Sequence, residues 1–247
     1  MIKLSRPTIP NILKMNQTQW QKALDAAIGT YGSYKKIPPD EKEKLIKHYR
    51  HKDIQDPLFK SSENKCAFCE CTPTEGGHIE VEHFKPKSLY PNATFEWKNF
   101  LPSCKKCNNS KLTHDTVSKP IVNPYDDDPK KIFFYQDIRI KSINDNLLGS
   151  ETIRVCGLNK ARLMNPRGKL LSALHEFSDA IEDALKDYHE CETKTACINR
   201  LRKIAASLDT IEELTKKDQK YSAYSTYYLC NCPGYLEARK LVDEFIE

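Results

Sequence analysis

Residues 104–111 read CKKCNNSK, and a matching cysteine pair lies upstream in CAFC at residues 66–69. Each CxxC pair offers two thiolates from one tight turn, and two such pairs complete a tetrahedral zinc site. The 34 residues between the pairs exceed the roughly 15–20 of a compact zinc ribbon, so they must hold structure of their own. The sequence therefore predicts a structural zinc site with the ligands Cys66, Cys69, Cys104 and Cys107. Nearby, Cys71 is expected to be a spare thiol.

The segment between the pairs contains HIEVEHF, residues 78–84, which has the alternation of a strand. Its apolar residues would face one side, and Glu80 and Glu82 the other. His83 closes the strand. A carboxylate and a histidine therefore stand side by side at a strand end, within a segment framed by paired cysteines.

Lysines are concentrated around this segment. Residues 85–111 contain one acid, Glu96, and six lysines, which are Lys85, Lys87, Lys98, Lys105, Lys106 and Lys111. The window carries a net charge of +5, equal to that of the whole chain, so the remaining residues are balanced. A basic window around one site indicates a polyanionic partner. Taken alone, it would fit a solvated lysine-rich loop equally well.

The chain resembles the HNH nuclease family in three elements that occur in order: Glu82-His83, Asn99, and the run Cys107-Asn108-x-x-Lys111 between and after two CxxC pairs. That family folds as a ββα-metal finger, with two strands and a helix around one divalent ion. The match covers residues 63–115, about a fifth of the chain. The resemblance implies an α+β fold in which a zinc-stabilised ββα-metal finger is flanked by N-terminal and C-terminal helical regions.

The resemblance also implies a role for each residue of the motif. Glu82 and the side-chain oxygen of Asn108 would hold a catalytic Mg²⁺ or Mn²⁺ ion, because hard cations prefer oxygen ligands. His83 would be the general base that activates water, and Asn99 would hold it in place. The lysines implied to bind backbone phosphates are Lys85, Lys87, Lys105, Lys106 and Lys111.

Two points stay open at the level of the sequence. The first acid of the family motif is most often Asp, whereas this chain has Glu82, and Glu80 on the same strand face is a rival ligand. His114 could reach the phosphate or stabilise the leaving group. The interpretation that the sequence favours is a solvated histidine at a helix end.

A second resemblance extends over the whole chain. The Arg6-Pro7 pair, the central motif and the tail segment Gly157-Leu158-Asn159, Leu163, Arg167 are similar to the PtuB nuclease family of Septu-type bacterial anti-phage systems. In that family a PtuA-type ATPase partners the nuclease. The resemblance implies a nuclease subunit of a defence complex, with the flanking helices as a scaffold that docks the partner.

The sequence divides into three regions. Residues 1–62 are expected to be helical, because residues 17–28 and 38–49 have helical spacing or helix-terminal charge patterns. Residues 63–118 would form the nuclease core. Residues 119–247 would contain a β-hairpin within 132–143 and a helical tail. In this tail Asn165 and Pro166 suggest a helix start, and further helices are expected at 193–207, 209–228 and 235–246. The acids Asp126, Asp127 and Asp128 lie between prolines and are expected to form a turn.

Composition narrows the class of protein. Charged residues make up 30% of the chain, mean hydropathy is −0.66, and no apolar run approaches the ~20 residues that span a bilayer. We expect a cytoplasmic protein without a signal peptide or membrane segment, in which paired cysteines bind metal. The leading function is DNA hydrolysis. A non-catalytic zinc-stabilised nucleic-acid-binding module and a standalone restriction-type HNH endonuclease are the alternatives, although a binding module has no need of a carboxylate-His pair beside an amide.

Overall fold

The computed structural model describes residues 1–73 and 77–246 and shows a helix-rich α+β chain with two small sheets. This confirms the predicted fold class in outline. The α-helices with described bounds are α1 (Asn11–Tyr31), α2 (Pro39–Ile46), α3 (Lys52–Lys60), α4 (Lys105–Lys111), α5 (Leu147–Cys156), α6 (Ala161–His189), α7 (Lys194–Glu212), α8 (Ser222–Leu229) and α9 (Pro233–Ile246). The strands are β1 (Ile79–His83), β2 (Phe100–Cys104), β3 (Phe133–Gln136) and β4 (Arg139–Ser142).

The chain forms two compact units. Unit 1 contains Met1–Phe133 and Ser142–Leu158, whereas unit 2 contains Phe134–Lys141 and the tail from Asn159 onward. Unit 1 includes both the N-terminal helices and the segment with the cysteine pairs. The boundaries drawn from sequence at residues 62 and 118 therefore mark changes in sequence character inside unit 1.

In unit 1, β1 and β2 pair antiparallel and β2 leads directly into α4. The register pairs Ile79 with Cys104 at one end of the ladder and His83 with Phe100 at the other. Pro102 is tolerated in β2 because the sheet has only two strands, and its carbonyl accepts a hydrogen bond of 2.8 Å from the Ala67 amide. The first cysteine turn is thereby tied to the sheet, and His83 lies at the opposite end from the cysteines.

The predicted N-terminal helices are confirmed. Helix α1 extends the expected 17–28 pattern at both ends and stops where Gly32 adopts a left-handed conformation, φ 76°. Helix α2 begins at Pro39, where a missing amide costs no helical hydrogen bond, and it has Asp40 and Glu41 in its first turn. A single 3₁₀ turn, Lys47–Arg50, follows.

Unit 2 corrects two predictions about the tail. Helix α6 begins at Ala161, not at Pro166, which lies inside the helix. Proline inside a helix removes one amide donor and crowds the preceding turn, so local propensity favours a start at Pro166 and not five residues before it. The expected helix 209–228 is also wrong, because α7 ends at Glu212 and α8 starts at Ser222. Tyr221 takes a left-handed conformation, φ 56°, which a continuous α-helix does not allow.

The hairpin and the turn were predicted correctly. Strands β3 and β4 form a two-stranded sheet, with Asp137 in the left-handed region between them. The side chain of Asp126 accepts a hydrogen bond from Asn123, and that of Asp128 caps the short helix Pro129–Lys131. In the part of the chain that the structure describes, no helix is long and apolar enough to cross a bilayer.

Candidate metal centre and active site

The two cysteine pairs meet in the interior of unit 1. The sulfur atoms of Cys66, Cys69, Cys104 and Cys107 lie within 4.8 Å of one another, and all four residues are buried. Cys104 sits at the N-terminus of α4, where its sulfur accepts a hydrogen bond of 3.4 Å from the Cys107 amide. Hydrogen bonds from the neighbouring thiols, that of Cys107 first, lower the pKa of Cys104. Hydrogen bonds with Cys104 instead raise the pKa values of Cys69 and Cys107. The cluster therefore has four buried sulfur donors that could hold a metal ion such as zinc, and it confirms that the predicted cysteines come together.

The predicted spare thiol lies beside this cluster. The sulfur of Cys71 is 3.3 Å from that of Cys69, and the Cys71 carbonyl accepts a hydrogen bond from the Cys66 amide. Cys71 therefore closes the first cysteine turn through its backbone, outside the group of four.

At the other end of the sheet, His83 is buried with contacts on each side of its ring. Its Nε2 lies 2.9 Å from the Thr94 carbonyl, and its Nδ1 lies 3.2 Å from the Lys87 ammonium. Tyr49 and Phe100 pack edge-on, with ring centroids 4.7 and 5.1 Å from that of His83.

These contacts define the protonation state of His83. A carbonyl can only accept, so Nε2 carries the proton and Nδ1 keeps its lone pair. Burial first, and then the Lys87 ammonium, lower the pKa of His83 well below its usual value. Burial likewise lowers the pKa of Lys87 to about 8. His83 is therefore neutral near pH 7, with Nδ1 as its proton-accepting atom.

Glu82 is paired with a lysine from α4. Its Oε1 accepts a hydrogen bond of 2.7 Å from Lys111, whose ammonium also donates to the His83 carbonyl at 3.0 Å. Both residues are buried, and burial raises the pKa of Glu82 although Lys111 acts in the opposite sense. Lys111 thus lies against Glu82, in the interior, and not on the surface where a phosphate contact was expected.

Asn108 contacts the other carboxylate of the strand. Its side-chain amide donates to Glu80 at 2.8 Å, and both residues are partly exposed. The structure thus brings Asn108 to Glu80, the rival ligand, while Glu82 is bound by Lys111. Carboxylate and amide oxygens are ligand types that hard divalent cations prefer, and here Glu80 binds Asn108 while Glu82 binds Lys111.

Asn99 holds the loop that follows β1. Its side chain accepts from the Lys85 amide at 2.6 Å and donates to the carbonyls of Lys85 and Ala93 at 3.1 and 2.9 Å. Ala93 directly precedes Thr94, which fixes the His83 ring. Asn99 therefore joins the two chain segments that hold His83, which agrees with the positioning role expected of it.

Three of the four remaining predicted lysines are exposed. Lys85, Lys105 and Lys106 lie on the surface of unit 1, whereas Lys87 is partly buried. His114 bonds the Lys119 carbonyl at 2.7 Å and lies 3.8 Å from Glu151. Its ring is thus engaged next to the end of α4, which favours the structural explanation of this histidine.

Three residues that surround the site were not predicted. Tyr49 and Thr94 touch His83 directly, and no local pattern marks them. Arg6 donates to the carbonyls of Trp97, Lys98 and Phe100 at 2.8–3.0 Å and so fixes the segment that carries Asn99. The Arg6-Pro7 pair was noticed in the sequence, but its contact lies about 90 residues away.

Comparison with known proteins adds a resemblance. No protein-family model matches the chain. The chain is 44% identical over 116 residues to a protein named Septu protein PtuB from Bacillus thuringiensis, a stretch that covers 46% of this chain and 44% of that relative. It is 25% identical over 219 residues to a Septu protein PtuB from Bacillus mycoides (strain KBAB4), covering 75% of this chain and 72% of the relative. The expected similarity to PtuB proteins is thereby confirmed. The first match spans less than half the length of that relative.

Proposed function

We propose that this chain is a metal-dependent endonuclease of the HNH type that hydrolyses DNA phosphodiester bonds. The observation that carries the proposal is the state of His83: neutral, with an unprotonated Nδ1 that faces the Lys87 ammonium, on the strand that carries Glu80 and Glu82. A neutral imidazole next to oxygen ligands has the chemistry of a general base beside a cation site. The order of β1, β2 and α4 supports the finger that the sequence motif implies.

Two metals have separate roles in this proposal. The four-cysteine cluster would hold a structural zinc ion that ties the cysteine turns together. The amide oxygen of Asn108 and one carboxylate of β1, that of Glu82 or of its rival Glu80, would hold Mg²⁺ or Mn²⁺. When bound, that ion polarises the phosphate and stabilises the leaving oxygen.

The protein residues would act on water and phosphate. His83 Nδ1 takes a proton from water, the water oxygen forms a bond to phosphorus, and the P–O bond to the leaving oxygen breaks. The Thr94 carbonyl keeps Nε2 protonated, so that Nδ1 stays the basic atom. Asn99 holds the loop, and the exposed Lys85, Lys105 and Lys106 bind neighbouring backbone phosphates.

We infer a place in anti-phage defence from the PtuB relatives. Their similarity supports a Septu component, and on that ground we propose that the chain works in the bacterial cytoplasm with a PtuA-like ATPase. The helices outside the central motif are then the surfaces available for the partner.

One observation favours a rival function. Glu82 is already neutralised by Lys111, which would suit a non-catalytic zinc-stabilised module that binds nucleic acid. A standalone restriction-type nuclease is a further alternative. A plasmid nicking assay with Mg²⁺ or Mn²⁺, run with and without a co-purified PtuA-like ATPase, separates these functions. We expect nicking by the wild type in at least one arm.

Variants of three histidines make the assay specific. His83→Ala should lower the cleavage rate by ~10²–10⁴-fold, as loss of a general base does. His189→Ala is the matched control, because this exposed histidine pairs with Glu237 in unit 2 and should leave cleavage unchanged. His114→Ala tests whether that histidine contributes to cleavage: a lower rate would support a contact with the phosphate or the leaving group, and an unchanged rate would support a structural role. Cutting by His83→Ala at the wild-type rate would refute the mechanism.

Metal affinity tests the ion site without relying on activity. Isothermal titration with Mn²⁺ should give weaker binding for Asn108→Ala and for the variant of whichever carboxylate holds the ion, Glu80→Gln or Glu82→Gln. Zinc content should stay unchanged in all three. If none of the variants altered Mn²⁺ affinity, this oxygen cluster would not be the cation site.

A further inference from the structure

Lys87 and Lys85 lie two residues apart in the same loop, yet only Lys87 is turned inward onto His83. Among the described residues, the ammonium of Lys87 has one hydrogen-bond partner, His83 Nδ1 at 3.2 Å. Its other contact is with the Tyr49 ring, 4.9 Å from the ring centroid. Lys87 therefore occupies the lone pair on which the proposed reaction depends.

The ring of His83 offers water no other approach to that atom. Thr94 fills the Nε2 edge, and Phe100 and Tyr49 pack against the ring, which is only 3% exposed. Thr94 and Phe100 are fully buried. Tyr49 and Lys87 are both partly exposed. Of these two, Lys87 has the long, flexible stem that can swing outward while its charge stays solvated.

We infer that Lys87 is a substrate-released cap on His83: its ammonium blocks Nδ1 in the free protein and leaves it for a DNA phosphate. This deepens the proposed function and rests on it. A phosphate is a stronger partner for the ammonium than a neutral imidazole, because its negative charge adds Coulomb attraction to the hydrogen bond. Water then reaches Nδ1 only when a phosphodiester is in place, so the nuclease is idle without its substrate.

The free protein provides a readout that needs no cleavage. In ¹⁵N-histidine NMR spectra, the His83 Nδ1 resonance should move downfield in Lys87→Met, toward the position of an imine nitrogen that accepts no hydrogen bond. Methionine keeps the apolar stem against Tyr49, so the fold should persist. Lys87→Arg keeps a donor and should restore much of the wild-type shift, whereas Lys85→Met should not move the resonance.

Adding a short DNA duplex, with Ca²⁺ in place of Mg²⁺ to prevent cleavage, tests the release step. The wild-type resonance should move in the direction already seen for Lys87→Met, and that variant should respond much less. If the duplex bound, as judged by fluorescence anisotropy, without moving the wild-type resonance, Lys87 would not be released and the inference would fail.

Kinetics complete the test. Lys87→Met should lower kcat/KM for DNA about tenfold through the lost phosphate contact, yet raise hydrolysis of bis(p-nitrophenyl) phosphate by about two- to tenfold, the worth of one net hydrogen bond. Equal losses on both substrates would make Lys87 a directly catalytic residue and overturn the cap. If the wild type cut neither substrate while DNA still moved the resonance, the proposed reaction would fall and the release of Lys87 would stand.

Discussion

The two units differ in what they bury. The core of unit 2 between α6, α7 and α9 is apolar, and its fully buried members are Ile181, Leu185, Leu201, Ile204, Leu208, Ala238 and Val242. Unit 1 buries ionisable groups, which are Lys65, Glu70, Glu82, His83 and Lys111 besides its cysteines. In the described part of unit 2, by contrast, Arg167 is the one charged residue that is buried.

This contrast separates buried side chains that stabilise by leaving water from buried charged groups that need partners. Burial of aliphatic side chains stabilises a fold without any requirement for exact partners. A buried ion pair such as Glu82–Lys111 often contributes little net stability, because desolvation offsets the attraction. The charged groups buried in unit 1 therefore add less net stability than the aliphatic core of unit 2, and each depends on its partner.

The largest expected effect is loss of the metal centre. Cys104→Ser should lower zinc content and raise amide hydrogen exchange across β1 and β2, because structural zinc contributes about 10–16 kcal/mol in small zinc domains. Helices α6 and α7 of unit 2 should keep their protection. Cys230→Ser, at an exposed free thiol, is the control. A zinc-free preparation that melts like the native protein would contradict the assignment.

The next effect comes from breaking the buried ion pair. Lys111→Met leaves Glu82 buried without its partner and should cost about 3–5 kcal/mol in urea unfolding of unit 1. The double variant Glu82→Gln/Lys111→Met should recover much of this loss, and Lys106→Met on the surface should change stability little. The side chains of Lys111 and Glu82 are 0 and 7% exposed. A single variant as stable as the double variant would contradict this burial of the pair.

A comparable loss is expected from the apolar core. Leu208→Ala should cost about 2–5 kcal/mol, since it removes a fully buried side chain. Leu236→Ala, at a half-exposed position in α9, should fall within about 0.5 kcal/mol of the wild type. Zinc content and the Mn²⁺ affinity of Leu208→Ala should stay unchanged. A change in either would show that the unit 2 core supports the site.

The smallest effect concerns exposed charges. Lys105→Glu/Lys106→Glu should weaken DNA binding similarly for unrelated sequences and reduce the slope of log K against log salt by about 1 per lost phosphate contact. Arg202→Glu/Lys203→Glu makes the same charge change at exposed positions of unit 2 and should matter less. A changed sequence preference with an unaltered salt slope would mean that Lys105 and Lys106 contact bases.

Local patterns were enough to predict several features. The paired cysteines, the strand that ends at His83, the hairpin in 132–143 and the aspartate turn each depend on residues close in sequence. These features can be predicted without knowledge of the fold, because strand alternation, turn chemistry and paired ligands each depend on a few neighbouring residues. Helix boundaries in the tail were less well predicted. Pro166 lies inside α6 although proline disfavours helix interiors, and the left-handed conformation of Tyr221 separates α8 from the preceding helix.

The partners within the site were decided by tertiary structure alone. The sequence placed Glu80 and Glu82 on one strand face, but only the position of α4 gave Asn108 to Glu80 and Lys111 to Glu82. In the sequence, Lys85 and Lys87 likewise looked like equivalent members of one basic window. The approach of the 3₁₀ turn at residues 47–50 and of the Thr94 loop buried His83 and drew one of those lysines onto its ring. Side-chain identity is local information, whereas burial and the choice of partner depend on segments far apart in the chain.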